Sequence, residues 1–219
     1  GDIGLYLSNQ MIVQNYMSNS NLGKILEYYN DMVIKTCKGE MIDVALPFYS
    51  EFYGNLDNLE ENIIEIYKLK TGYYSVVGPF CLGYILSGGD KVSVLEDALM
   101  NLGIAYQIKD DILGIYGDEE KMGKSAISDA LEYKQTILYS YTCNTSYRDE
   151  LLSIYGKDDV DISKVREIFD KSGARKYADD YMNKLFQESF DAILDLDFID
   201  SKHKKILLGF AEFLRVRDK

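Results

Sequence analysis

The run Tyr106-Gln107-Ile108-Lys109-Asp110-Asp111-Ile112-Leu113 sets two adjacent carboxylates and an amide inside an apolar, helix-period pattern. Gln107 stands three and four residues before Asp110 and Asp111, a spacing that brings all three toward one helix face. Ile104, Ile108, Ile112 and Leu113 give the same helix an apolar stripe. Adjacent carboxylates taken out of water repel each other and are costly to desolvate unless a cation neutralises them. Mg²⁺, a hard dication that takes oxygen ligands, is the natural partner. Two acids on a helix also make an ordinary solvated face, so the flanking sequence has to decide between the readings.

Upstream stand Gly39-Glu40-Met41-Ile42-Asp43 and Tyr67-Lys68-Leu69-Lys70-Thr71; downstream stand Gly123-Lys124, Asp129 and Lys134-Gln135-Thr136. In order and spacing these blocks resemble the trans-isoprenyl diphosphate synthases, the polyprenyl synthetase family. The family's second aspartate-rich motif, roughly Phe-Gln-x-x-Asp-Asp-x-x-Asp, lies over Tyr106 to Gly114. Its Gly-Gln-x-x-Asp segment lies over residues 39–43, with Glu40 in place of glutamine. Its Lys-Thr pair matches Lys70-Thr71, and two later lysines match Lys124 and Lys134. The last aspartate of the motif is Gly114 here. Gly1-Asp2 resembles a Gly-Asp that begins a mid-chain helix, so the resemblance runs over essentially the whole chain but over roughly the back two-thirds of a family member. The family's first aspartate-rich motif, and its basic residues for isopentenyl diphosphate, have no counterpart in these residues. The expectation is a fragment of a synthase, or one part of a split or non-catalytic protein, with little or no synthase activity from residues 1–219 alone.

The resemblance implies a prenyltransferase that condenses an allylic diphosphate with isopentenyl diphosphate by Mg²⁺-assisted ionisation and gives a longer polyprenyl diphosphate. Ionisation requires the growing negative charge on pyrophosphate to be neutralised, which Mg²⁺ and lysines do. On that basis Asp110 and Asp111 hold Mg²⁺, partly through water. Gly114 removes a carboxylate one turn below Asp110 and weakens the metal site. Lys70, Lys124 and Lys134 act as point charges on phosphoryl oxygens, and Arg217 resembles a terminal arginine that approaches the homoallylic diphosphate. Thr71 and Gln107 hold the cation or its leaving group by hydroxyl and amide dipoles. Glu40, with Asp43 one turn away, faces the reaction cavity and adds charge where an amide is usual.

Glu40 and Asp43 also fit a solvated acidic stripe beside Lys38, and Arg217 a solvated tail. Asp179-Asp180 imitates the absent first motif but reads as the polar side of an outer helix. As a whole, the chain also fits a non-catalytic or regulatory subunit of such a synthase, or a terpene cyclase or other class I prenyl-transfer enzyme on the same fold. The Lys-Thr pair and the downstream lysines favour elongation over cyclisation.

Helices must position these groups. The periodicity predicts them over about 3–18, 21–47, 58–87, 91–117, 128–142, 146–155, 161–196 and 200–217, with no strand-period segment. Asn58 followed by Glu61 suggests a cap with its reciprocal acid. Ser87-Gly88-Gly89-Asp90 is a stop and turn, and Asp158, Asp159 and Asp161 favour the helix start that follows. The fold class expected is all-α: one domain over 1–219, an antiparallel helix bundle of the isoprenoid synthase type without the family's N-terminal helices, and a homodimer by resemblance.

With 219 residues, 47% apolar and 27% charged, the chain can bury a substantial core. Its net charge of −12 argues against nucleic acid and anionic membranes, but not against a diphosphate met by local lysines. Gly72 to Gly89 is an uncharged run of 18 residues with five glycines and Pro79. It reads as a buried central helix kinked near Pro79, not as a membrane span. Three widely spaced cysteines (Cys37, Cys81, Cys143) suggest neither a disulfide framework nor zinc, and a cytoplasmic location is expected. The single His203 lies among Lys202, Lys204 and Lys205 and reads as a surface residue.

Overall fold

The computed structural model describes residues 2–49, 58–117 and 127–217, and among these all regular structure is helical. Helices α1 (Asp2–Tyr16) and α2 (Leu22–Tyr49) precede a continuous rod made of α3 (Leu59–Ile66), a π-helical segment (Tyr67–Val77) and α4 (Gly78–Leu86). After a turn with Gly88 at φ 90° comes α5 (Val92–Tyr116), then the short α6 (Ser128–Leu131), α7 (Ile137–Cys143) and α8 (Arg148–Ile154). The chain closes with α9 (Ile162–Ser172), α10 (Ala174–Asp195) and α11 (Ser201–Val216).

Helix α5 is the centre of the bundle, packed on one side against the π-helical segment and on another against α10. Its buried residues, among them Leu95, Leu99, Leu102, Ile104, Ile108 and Ile115, occupy most of its circumference, as expected of a helix enclosed by others. Side-chain-free positions let the backbones meet. A Cβ on Gly103 would lie 2.6 Å from the Cα of Gly72, and one on Gly39 would lie 2.5 Å from the Lys70 backbone nitrogen. Gly39 thereby brings α2, and with it Glu40 and Asp43, against the segment that carries Lys70. Among the described residues no helix is long and apolar enough to cross a membrane.

The helical regions agree with the periodicity, with four local departures. The rod expected over 58–87 changes its winding ahead of Pro79, over Tyr67–Val77, where it is π-helical. The Gly78 N–H bonds the Tyr73 carbonyl, five residues back, and Pro79, which has no N–H to donate, sits in the first turn of α4. Such wide turns recur at functional sites, and this one carries both Lys70 and Thr71.

The helix expected over 128–142 is two helices, because Tyr133 adopts φ 55° and Thr136 is extended, where its hydroxyl caps α7. The helix expected over 161–196 stops and restarts at Gly173, whose φ of 84° is the left-handed stop that glycine favours. Asn58 precedes α3 without a side-chain capping bond. Asp161 does cap α9, accepting from the Ser163 N–H, and Asp200 caps α11 beside an exposed His203.

Candidate active site

Asp111, 0% exposed, is the hub of the polar interior. Its carboxylate accepts from Gln107 Nε2 at 2.9 Å on the same helix, from Lys134 Nζ at 2.9 Å and from the Tyr67 hydroxyl of the π-helical segment. The Tyr67 oxygen in turn accepts the Ile137 N–H at 3.1 Å, at the start of α7. The Thr71 hydroxyl donates to Gln107 Oε1, which fixes the amide with its Nε2 toward Asp111. One buried carboxylate therefore ties the rod, α5 and the segment before α7 together. Burial and the facing carboxylate push the Tyr67 hydroxyl well above its ordinary pKa, so it stays a donor.

Lys134 is the counter-charge. Its ammonium reaches Asp111 and, at 3.4 Å, Asp129. Burial pulls its pKa down, but Asp111 and Asp129 outweigh this and hold it above the ordinary lysine value. Asp43 adds to that field, which places α2 within electrostatic reach of the same ammonium. Asp43 also bonds Lys70 Nζ at 2.6 Å, and Glu40 does so at 2.9 Å. Lys70 likewise ends above its ordinary value, burial opposing and the two carboxylates prevailing.

Asp110 faces elsewhere. Its carboxylate is 37% exposed and lies 3.8 Å from the guanidinium of Arg217. Arg217 also donates to the Tyr106 hydroxyl at 2.7 Å and lies over the Tyr106 ring. Lys109 donates to the Arg215 carbonyl, so α5 holds the end of α11 and Arg217 is docked, not a free tail. Because these contacts are partly exposed, Arg217→Ala is expected to cost no more than about 1 kcal/mol. A thermal unfolding curve checks it; a loss several times larger would make the residue an anchor of the bundle.

A profile of the polyprenyl synthetase family matches residues 1–172. The chain belongs to the polyprenyl synthetase family. It is 31% identical over 199 residues to a geranylgeranyl diphosphate synthase of Saccharolobus solfataricus, covering 88% of this chain and 60% of the relative. It is 30% identical over 184 residues to a short chain isoprenyl diphosphate synthase of Methanothermobacter thermautotrophicus, covering 81% of this chain and 54% of that one. A crystal structure of geranylgeranyl pyrophosphate synthase superposes with a TM-score of 0.84 at 25% identity, over 100% of this chain and 68% of its own. Another, from Corynebacterium glutamicum and complexed with isoprenyl diphosphate and magnesium, gives a TM-score of 0.85 at 24% identity, over 99% of this chain and 62% of its own. The all-α bundle is thus the isoprenoid synthase fold. The chain spans only part of the length of the curated relatives it matches, 54% and 60% for the two synthases named.

In this chain the residues expected to act together fall into three adjoining groups. Lys70 joins Glu40 and Asp43; Thr71 and Gln107 join Asp111 and Lys134; Arg217 joins Asp110. Lys124 lies outside the described residues. The two aspartates of the motif do not share one environment, because neighbouring residues on a helix diverge by about 100°: Asp111 turns inward to its three donors and Asp110 turns outward. Glu40, 54% exposed, stands at the rim, while Asp43, 17% exposed, is the closer partner of Lys70.

Sequence reasoning missed Tyr67 as a member of the site, since its partner Asp111 is 44 positions away. It also missed the setting of Asp129: a Cβ on Gly114 would lie 2.4 Å from Asp129 Oδ2, so that carboxylate fills the space beside the glycine. Asp179 and Asp180 are engaged in ion pairs with Arg175 and Lys176 on α10. Among the described residues no group of three or more His, Cys, Asp and Glu side chains is set to hold a metal ion. A separate concavity of about 420 Å³, lined by Phe80, Tyr84, Leu95, Phe198, His203 and Leu207, shares no residue with these groups.

Proposed function

We propose that residues 1–219 form the diphosphate-handling part of a prenyltransferase that condenses an allylic diphosphate with isopentenyl diphosphate to give a longer polyprenyl diphosphate. The observation that carries this reading is the Asp111 hub, which holds Lys134, Gln107, Thr71 and Tyr67 from three separate elements around one buried charge. Departure of pyrophosphate builds negative charge on its oxygens, and preorganised cations stabilise that charge without reorganising at the moment of reaction. Lys134 and Lys70 supply such cations, each with its position set by carboxylates behind it. The relatives named as geranylgeranyl and short chain isoprenyl diphosphate synthases support elongation over a cyclase or a purely regulatory role.

The donor set fits Mg²⁺ bound chiefly through Asp110 and through substrate oxygens. Mg²⁺ keeps several waters and uses one or two protein carboxylates together with phosphates, and Asp110 is the motif acid with an accessible oxygen. When bound, Mg²⁺ would neutralise the leaving pyrophosphate. Asp111 serves at one remove, by orienting Lys134 and the Gln107 amide. Thr71 fixes that amide, and Arg217, against Asp110 and Tyr106, adds a cation at the open side of α5.

Calorimetric titration of Mg²⁺ and inorganic pyrophosphate into the full chain tests the reading. Saturable, Mg²⁺-dependent binding is expected, weakened about tenfold or more by Lys70→Gln, which removes a charge-assisted contact. No binding at millimolar pyrophosphate would reject it. The same reading implies a homodimer, and Ile3, Tyr6, Met11, Met41 and Val44 of α1 and α2 present exposed apolar side chains for it. Sedimentation is expected to give about twice the chain mass of 25.0 kDa; a monomer at every concentration would reject the pairing.

A further inference from the structure

Residue 106 departs from the family motif by a single oxygen, the hydroxyl of a tyrosine where the motif carries phenylalanine. In the fold that oxygen has a partner. Arg217 Nη1 donates to it at 2.7 Å, and the guanidinium carbon lies 5.2 Å from the centre of the Tyr106 ring. The main chain at Arg217 is fixed separately: its N–H bonds the Phe213 carbonyl at 3.1 Å, and Lys109 holds the Arg215 carbonyl. Arg215 itself is turned to Glu212 and the Phe190 ring, so Arg217 is the one of these two arginines that faces Tyr106 and Asp110.

The same Nη1 lies 3.8 Å from Asp110 Oδ1, beyond hydrogen-bond length. A guanidinium bonds a carboxylate more strongly than a neutral hydroxyl, yet here the hydroxyl takes the bond. The arginine therefore adds its charge next to Asp110 without occupying that oxygen. Held by the ring alone, the guanidinium would need to move only about 1 Å to pair directly with the carboxylate.

We propose that the Tyr106 hydroxyl is a bracket that holds Arg217 beside Asp110 but off it. Asp110 then stays open to Mg²⁺, and the guanidinium stays available to the diphosphate that the metal binds. Tyr106 is a positioning residue, acting on metal and diphosphate only through Arg217. This rests on the diphosphate-handling function proposed above.

The test compares wild type, Tyr106→Phe, Arg217→Ala and the double variant Tyr106→Phe/Arg217→Ala in the full chain. Calorimetry measures the affinity for inorganic pyrophosphate with Mg²⁺, and NMR follows the Arg217 guanidinium without ligand. Tyr106→Phe removes one oxygen from a half-buried ring and leaves the packing in place. It is expected to weaken pyrophosphate about threefold, the scale of an exposed ion pair that competes for Asp110. Arg217→Ala is expected to weaken it about tenfold, the scale of one charge-assisted contact. The double variant should match Arg217→Ala within about twofold, because a hydroxyl that works through the arginine has nothing left to position. The guanidinium signal is expected to shift in Tyr106→Phe, as the carboxylate replaces the hydroxyl as its partner.

Equal pyrophosphate affinity in wild type and Tyr106→Phe overturns the bracket and leaves the diphosphate function standing. So does a further loss when Tyr106→Phe is added to Arg217→Ala. A wild type that binds no pyrophosphate overturns that function instead. The guanidinium signal then decides the bracket by itself: a shift in Tyr106→Phe supports it, and an unchanged signal overturns it.

Discussion

Lys134→Ala is expected to lower the unfolding free energy by about 3–5 kcal/mol, because it leaves the Asp111 carboxylate buried without its cation. A domain of this kind is stable by only about 5–15 kcal/mol, so the midpoint of urea unfolding, followed by far-ultraviolet circular dichroism, should fall by about a fifth or more. Asp111 would keep Tyr67 and Gln107 as donors, but neutral donors do not balance a full charge at a site with 0% exposure. Removing both charges, in Asp111→Asn/Lys134→Met, should recover much of the loss. A shift under about 1 kcal/mol for the single change, the size of an exposed ion pair, would mean that Asp111 is not the buried hub described.

The pH dependence has a definite sign. The folded-state pKa of Lys134 is raised above the ordinary lysine value of 10.5. Its contribution is therefore fully present below that ordinary value and is lost as pH rises through the folded one. The gap between wild type and Lys134→Ala should stay constant from about pH 6 to 9 and close only in strong alkali. A gap that narrowed at neutral pH would point to some other titrating group.

Gly103→Val is the second large effect. The added Cβ would lie 2.6 Å from the Gly72 Cα, and since that neighbour is backbone, the rod and α5 must separate. Overpacking costs about 1–3 kcal/mol where side chains can adjust, and this contact, with none to adjust, should lie at or above the top of that range. Gly72 directly follows Thr71, and Gly103 lies one turn before Gln107, so separating the helices also strains the Thr71–Gln107 bond. Weakened pyrophosphate binding should accompany the lost stability.

Two further glycines make the comparison informative. A Cβ on Gly72 would meet the flexible Met100 sulfur at 2.7 Å, and one on Gly83 would meet nothing within 4 Å. Gly72→Ala should therefore cost less than Gly103→Val, and Gly83→Ala should be neutral or stabilise α4 by up to about 1 kcal/mol. Equal melting temperatures for all three variants would contradict the close approach.

What could be read directly from the residues was local. A 3.6-residue repeat depends on neighbours three and four positions away, so the helices of the bundle were visible, α5 almost to its ends. Lys70-Thr71, Gln107, Asp110-Asp111 and Lys134 stood out because charge and amide groups interrupt apolar periods at family spacing. Even Gly173, a glycine between two helical patterns, carries a local signal for the break seen there.

Only the tertiary structure decided how those groups divide the work. Which of two adjacent aspartates turns inward depends on where α5 packs, and the rod with Tyr67 and the turn before α7 with Lys134 claimed Asp111. The π-helical winding at Lys70 and Thr71, the entry of Tyr67 and the docking of Arg217 on Tyr106 likewise need partners many residues distant. Gly114 is the plainest case. By sequence alone it is a missing acid; in the fold its bare Cα faces the Asp129 carboxylate, whose Oδ2 lies 2.4 Å from where a Cβ would stand. A glycine's meaning lies in what occupies the space it leaves, and that is set by packing.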